Sequence, residues 1–258
     1  MKLTLIPVYS PLRVDPFDLT TVLLDCIQES HELLRDGDIV ILSSKFAAIA
    51  QSRVVALDLV TPSDEAQKLA AQYKMDAALT ELILQESDAV FGGIPGFLLT
   101  VKDNLIAPNA GIDTSNVPAG KVVLYPEDNF ATAENLRAEI RDAINVDVGV
   151  VITDSRLMPG RTGTTGVALG VAGFIPVVDE RGRPDLLGRP LLVSQRAVAD
   201  NLCAAAELLM GEADEGIPLV IARDTDIQLT DDRFTWRDLA IDWKQDIYVS
   251  ILGKYPPE

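Results

Sequence analysis

Hydrophobic and polar positions along the chain fall into two kinds of block. Short apolar runs bounded by Gly, Pro, Asp or Asn read as strands: residues 2–8 (KLTLIPV), 39–42, 105–107, 122–124, 148–153 and 218–222. Longer blocks with apolar residues three and four apart read as helices. Asp18 can cap one whose apolar face is Leu19, Val22, Leu23, Cys26 and Ile27. Pro62-Ser63-Asp64 opens the first of two helices in 62–87, and further helices are predicted at 129–144 and 195–210. The last carries Val198, Leu202, Ala205 and Leu209 on one face. A turn at Gly92-Gly93 is expected between strands at 89–91 and 96–101, and Lys102-Asp103-Asn104 reads as a hairpin turn. Strands and helices interleave, so the fold class is α/β, of the mixed α+β kind. The chain reads as one domain over 1–258, with a seam between two subdomains in the loops of 60–110.

Composition narrows the function classes. With 258 residues the chain can bury a real core. Its net charge of -17 argues against a basic surface for nucleic acid or anionic membrane, but leaves a nucleotide pocket open. No segment approaches the roughly 18 apolar residues of a membrane helix. The apolar run of MKLTLIPVYS is too short for a signal peptide. Cys26 and Cys203 lie in helix-like apolar contexts without metal-ligand spacing, so both read as buried thiols in a reducing, cytoplasmic compartment. The lone His31, in QESHELL, reads as a helix-surface residue near a helix end. A metal here would therefore be held by oxygen, which favours Mg²⁺ or Mn²⁺ over Zn²⁺.

Several polar constellations sit where apolar runs stop. GDIVILSSK ends a strand in Ser43, Ser44 and Lys45, which can hydrogen-bond and neutralise a phosphate, yet it lacks the frame of a Walker loop. NAGIDTSN, 109–116, places Asp113 and Asn116 among turn formers. Asp154 and Ser155 follow the apolar strand 148–153, and an acid there needs a cation or an arginine as partner. Gly160 to Gly166 spaces glycines between hydroxyls, as an anion-binding loop or a merely flexible one would. Asp179 to Arg183 and Gly188-Arg189 fit either a site or a turn with structural arginines. Glu212, Asp214 and Glu215 follow the helix 195–210, where acids oppose the helix dipole and a bound cation would relieve them.

Taken in order, these segments resemble one family, the coenzyme F420-0:L-glutamate ligases, which add γ-linked glutamate to a deazaflavin cofactor precursor. The matching pieces are IPVY (6–9), GDIVILSSK (37–45), NAGIDTSN (109–116), VITDS (151–155), VALGVAGFIPVVDERGRPDLLGRPL (167–191) and AVADNLCAAAELLMGEADEGIPLVIAR (197–223). They span essentially the whole chain. The resemblance implies a GTP-dependent, dimeric amide ligase using divalent cations, Mg²⁺ or Mn²⁺, in an unusual two-part mixed fold. Its partners would be GTP, L-glutamate, the deazaflavin phosphodiester precursor and a second copy of the chain. It places Ile6, Pro7, Val8, Tyr9, Ser43, Ser44 and Lys45 along the GTP, with Asn116 touching the nucleotide. Asp113, Asp154, Ser155 and Glu212 would be metal ligands.

One stretch departs from that family. Where the family carries a tryptophan this chain has Gly160, and a later acid has become Gly166, with spacing kept. The change motivates two other readings: the same machinery acting on folate or another carboxylate, or a nucleotide-binding regulator without turnover. Chemically, a carboxylate does not condense with an amine at neutral pH, because hydroxide is a poor leaving group. Phosphoryl transfer to make an acyl phosphate removes that obstacle and needs positioning and charge neutralisation rather than a covalent side-chain nucleophile.

Overall fold

A computed structural model of the chain describes residues 2–252. In chain order the elements are β1 (Thr4–Val8), α1 (Leu19–Glu29), β2 (Ile39–Ser43), α2 (Ser44–Ala50), β3 (Val54–Ala56), α3 (Asp64–Tyr73), α4 (Ala77–Glu86), β4 (Ala89–Ile94), β5 (Phe97–Lys102), β6 (Leu105–Pro108), β7 (Lys121–Val123), α5 (Asn129–Ile144), β8 (Gly149–Leu157), β9 (Thr164–Ala172), β10 (Val177–Asp179), β11 (Gln195–Ala197), α6 (Val198–Met210), β12 (Leu219–Arg223), α7 (Trp236–Leu239) and α8 (Ile247–Leu252). The mixed α/β class is as the periodicity predicts.

The main sheet has the order β1-β12-β2-β8-β9, and only β2 and β8 run parallel. Strand side chains alternate between faces, and here both faces are covered. Val40, Leu42, Val150, Ile152, Leu219 and Ile221 pack with α1 and α5. Ile39, Ile41, Val151, Val220 and Ala222 pack with Ala199, Leu202, Cys203 and Ala206 of α6. This explains why β2, β8 and β12 read as unbroken apolar runs. A third apolar cluster, with Ile83, Leu98, Ile112, Val122 and Leu124, sits under the β3–β7 pair and the β4-β5-β6 sheet. Cys26 and Cys203 are buried and free. Among the described residues no helix is long and apolar enough to cross a membrane.

A buried ion network locks the sheet. Arg223, 7% exposed, donates from Nε and Nη2 to both oxygens of Asp38 at 3.0 and 2.8 Å. It also donates to Glu32 and to the Leu33 carbonyl oxygen. The end of β12 is thus tied to the start of β2 and to the chain leaving α1.

Local signals locate most ends. Asp18 accepts from the Thr21 amide and starts α1, and Asp128 caps α5, which spans the predicted 129–144. Several expectations are corrected. Gly92-Gly93 is not the turn: β4 continues to Ile94 with a bulge at Phe91, and the chain reverses at Pro95-Gly96. His31 lies past the end of α1 with a left-handed φ of 59°. Residues 195–197 are strand β11 rather than the first turn of the helix. Ser44 and Lys45 open the short helix α2 instead of trailing a strand. Most consequentially, β8 does not stop at Thr153. Pairing with β9 carries it through Asp154 and Ser155 to Leu157, so these two polar residues are strand residues.

Candidate active site

The parallel pairing of β2 and β8 sets Ser43 opposite Thr153, so the two strands deliver Ser44-Lys45 and Asp154-Ser155 to one edge of the sheet. Alternation then sends neighbouring side chains different ways. Asp154 turns toward Tyr125 and Ser44, and Ser155 toward Glu212 beyond the end of α6. Asp113 arrives from the other region of the chain, fixed by two backbone hydrogen bonds with Val123. Asn116, left-handed at φ 54°, donates its side-chain amide to the Ala213 carbonyl oxygen at 2.9 Å. With Ser10 to Arg13 of the β1–α1 loop, Lys45, Asp113, Asn116, Asp154, Ser155 and Glu212 line an open cleft of about 200 Å³.

Asp154 is the centre of the electrostatics. Tyr125 donates its hydroxyl to one carboxylate oxygen at 2.6 Å and Ser44 to the other at 3.1 Å. Burial pushes its pKa up to about 6, against the pull of those two donors and of Arg156, while the charge of Asp113 pushes the same way as burial. Tyr125 is itself clamped. Gly111, at φ 73°, lies against the ring so closely that a Cβ there would fall 2.0 Å from Cζ of Tyr125. Only glycine allows that approach.

Asp113 is in the opposite condition. Burial raises it, but the bond from Lys45, the Ser115 amide and the lysine charge together hold its carboxyl below the usual range. The Lys45–Asp113 pair is at 2.5 Å, and Lys45 also donates to the Ser115 hydroxyl at 2.6 Å. At the far wall Glu212 accepts from Ser155 at 3.2 Å and from Thr164. Glu207 is pushed up to about 7, first by burial and then by the charge and hydrogen bond of Glu212. Glu215 accepts from the Ala213 amide and folds over Gly211, so the acids after α6 curl back into the cleft.

Of the residues singled out in the sequence, Ser43, Lys45, Asp113, Asn116, Asp154, Ser155 and Glu212 all line this cleft. Ser44 is buried beneath it, bonded to Asp154. The structure does not bring Ile6, Pro7, Val8 and Tyr9 to the lining. They belong to β1 and the residue after it, with Val8 fully buried and Ile6 packed on the core, and the cleft begins at Ser10. The Gly160–Gly166 segment is likewise not in the lining: 158–163 is an exposed hairpin turn and Thr164 to Gly166 belong to β9. Asp179 pairs with Arg181 and Glu180 with Arg183 and Arg196, while Asp185 caps the amides of Leu187 and Arg189, so this arm satisfies itself as a turn with structural arginines. Sequence reading missed Tyr125, Ser115, Glu207 and Arg13.

The donor set suits a hard cation, since it offers carboxylate and hydroxyl oxygen without thiol or imidazole. Asp154 fits that purpose, being enclosed and, among the described residues, bonded to no cationic side chain. Among the described residues, however, no three acidic, thiol or imidazole side chains stand as a ready-made cage. Lys45 holds Asp113 instead.

The model of the family described as F420-0:Gamma-glutamyl ligase matches residues 11–224. The chain is 39% identical over 219 residues to the coenzyme F420:L-glutamate ligase of Methanopyrus kandleri, covering 82% of this chain and 86% of the relative. It is 37% identical to that of Methanothermobacter thermautotrophicus over 80% and 82% of the two chains. For the Archaeoglobus fulgidus ligase the identity is 36% over 88% and 90%. The chain belongs to the F420-0:gamma-glutamyl ligase family. Membership carries an enzyme class, an acid–amino-acid ligase that forms a γ-glutamyl amide bond.

The departure from the family's sequence pattern now has a structural setting. Gly160 sits in the open hairpin turn with nothing within 4 Å of where its Cβ would be. Gly166 is different: a Cβ there would lie 2.4 Å from the carbonyl oxygen of Cys203. In this member of the ligase family, helix α6 lies against β9 backbone to backbone, and the position has no room for an acid.

Proposed function

We propose that the enzyme adds L-glutamate in γ linkage to the deazaflavin precursor, coenzyme F420-0, at the expense of GTP. The observation that carries this reading is the convergence of Lys45, Asp113, Asp154, Ser155 and Glu212 from distant parts of the chain on one cleft. In the proposed reaction the precursor's carboxylate oxygen attacks the γ-phosphorus of GTP and GDP leaves, giving an acyl phosphate. The glutamate amine attacks the acyl carbon, inorganic phosphate leaves, and the amine's surplus proton passes to a base. Asp113, Asp154, Ser155 and Glu212 would hold Mg²⁺ or Mn²⁺, which supplies charge neutralisation for the transferring phosphoryl group. Ser43 and Lys45 would bind phosphate oxygens, and Asn116 would meet the nucleotide. Tyr125 and Ser44 keep the Asp154 carboxylate fixed in aim.

The folate and regulator readings rest on the changed stretch around 160–166. The two changed positions, Gly160 and Gly166, lie outside the cleft lining, which favours the deazaflavin reading. Mass spectrometry of products from GTP, Mn²⁺, glutamate and each acceptor tests it. A gain of one glutamyl unit on the deazaflavin is expected. Glutamylation of folate alone, or nucleotide binding without any product, would replace this reading.

We also propose a homodimer. The arm between β10 and β11 exposes Leu186, Leu187, Leu192 and Val193, an apolar display that a second copy would cover. Light scattering should give twice the 27.9 kDa chain mass, and a monomer at micromolar concentration would refute it.

A further inference from the structure

Among the described residues two cationic side chains line the cleft, against five acids: Asp113, Asp154, Glu207, Glu212 and Glu215. Lys45 is taken by Asp113. The other cation is Arg13, on the loop between β1 and α1. Among the described residues Arg13 joins no ion pair and donates no hydrogen bond, and its Nε is buried without a partner. A buried guanidinium N–H left unsatisfied is costly, so such a group calls for an explanation.

Its mounting is specific. The guanidinium lies 5.2 Å from the ring centroid of Phe17, and Phe17 stands 4.8 Å from Phe46, which is buried and lines the same cleft. The aromatic column supports the face of the guanidinium, and Arg13 lines the cleft with its terminal N–H groups bonded to no side chain of the described residues. A guanidinium's planar edge matches a carboxylate or a phosphate in bidentate fashion. A cleft so acidic that must accept anionic reactants needs a cation that no carboxylate of its own has claimed. We infer that Arg13 is a further residue that binds a substrate oxyanion, a carboxylate or phosphate held in the cleft beside Lys45. The inference rests on the ligase reading for what the anion belongs to, but not for its existence.

Direct titration tests it without turnover. Wild type, Arg13→Ala and Arg13→Lys are titrated calorimetrically with L-glutamate, with inorganic phosphate and with GTP plus Mn²⁺. For Arg13→Ala, binding of at least one probe should weaken about tenfold to a hundredfold, the scale of a lost charge-assisted contact. Arg13→Lys should recover part of it, keeping charge but losing the fork. Selective loss for glutamate identifies a carboxylate, and selective loss for phosphate and GTP a phosphate. Unchanged affinity for every probe in a folded Arg13→Ala protein overturns the inference. So does equal weakening for all probes with a lowered melting temperature, the mark of a merely structural residue, and so does a wild type that binds none of them. Failure of the ligase reading appears separately, as absence of glutamylated product from a wild type that still binds its probes through Arg13.

Discussion

Asp154→Asn keeps the shape of the side chain and removes its charge, and the structure assigns that charge a cost. Burial raises the carboxyl from 3.8 to about 6. A group bound to its proton more tightly in the folded state contributes stability that is full below the unfolded value and is lost as pH rises through the folded one. At about 1.4 kcal/mol per pKa unit, ionising Asp154 costs the metal-free fold about 3 kcal/mol by pH 7. The variant should therefore match wild type below pH 3.8 and exceed it by up to about 3 kcal/mol at pH 7, with the gap opening as pH rises from 3.8 through about 6. Urea denaturation of both proteins in chelator across that range measures the gap, which includes the relief that Asp113 and Glu207 gain when the Asp154 charge beside them is removed. Ligase turnover should be lost in the same variant, and Mn²⁺ should stabilise wild type more than the variant. A variant less stable than wild type at pH 7, or one with near-normal turnover, would refute the reasoning, because Asp154 would then be neither a strained charge nor a used one.

Gly111→Ala should destabilise by about 2–4 kcal/mol, combining left-handed strain with overpacking against Tyr125, and denaturation within error of wild type would contradict the clamp. Lys45→Ala should weaken GTP binding by about 1–3 kcal/mol in titration calorimetry, and an unchanged isotherm would remove Lys45 from the nucleotide. Arg223→Met leaves Asp38 buried without its partner and should cost about 3–5 kcal/mol of folding stability, whereas a loss under 1 kcal/mol would show that water reaches that network.

What the sequence revealed follows from the range of each interaction. The Asp18 and Asp128 caps, the run of β2 and the 129–144 helix are written locally, in residues three or four apart, and all were readable. So were Asp113, Asp154, Glu212 and Glu215 of the acids that meet in the cleft, because each sits in a polar stretch where an apolar run stops. The reach of β8 was not, since nothing in Asp154-Ser155-Arg156 favours a strand until β9 pairs with it. Tyr125 gave only a faint sign, a hydroxyl inside the apolar stretch before Pro126, and its partner is 29 residues away. Glu207 is one polar position on a helix, and only the folded-back 212–215 segment makes it unusual. Arg13 stands out by what it lacks, which no sequence displays. The Gly92-Gly93 turn failed because glycine also serves bulges, and the cross-strand register decided between the two uses.

The way the main sheet closes also governs when the cleft can exist during folding. Ser44 and Asp154 meet across 110 residues of chain, and Thr4 meets Asp224 across 220. Contacts so distant in sequence carry the loop-closure entropy of nearly the whole polypeptide, and topologies built on them fold slowly. The Asp154 side of the cleft hangs on the first of these contacts, so binding competence and the cooperative folding transition arrive together. Ligand protection, read by hydrogen exchange, should therefore spread through β2, β8 and β12 rather than remain at the cleft's rim.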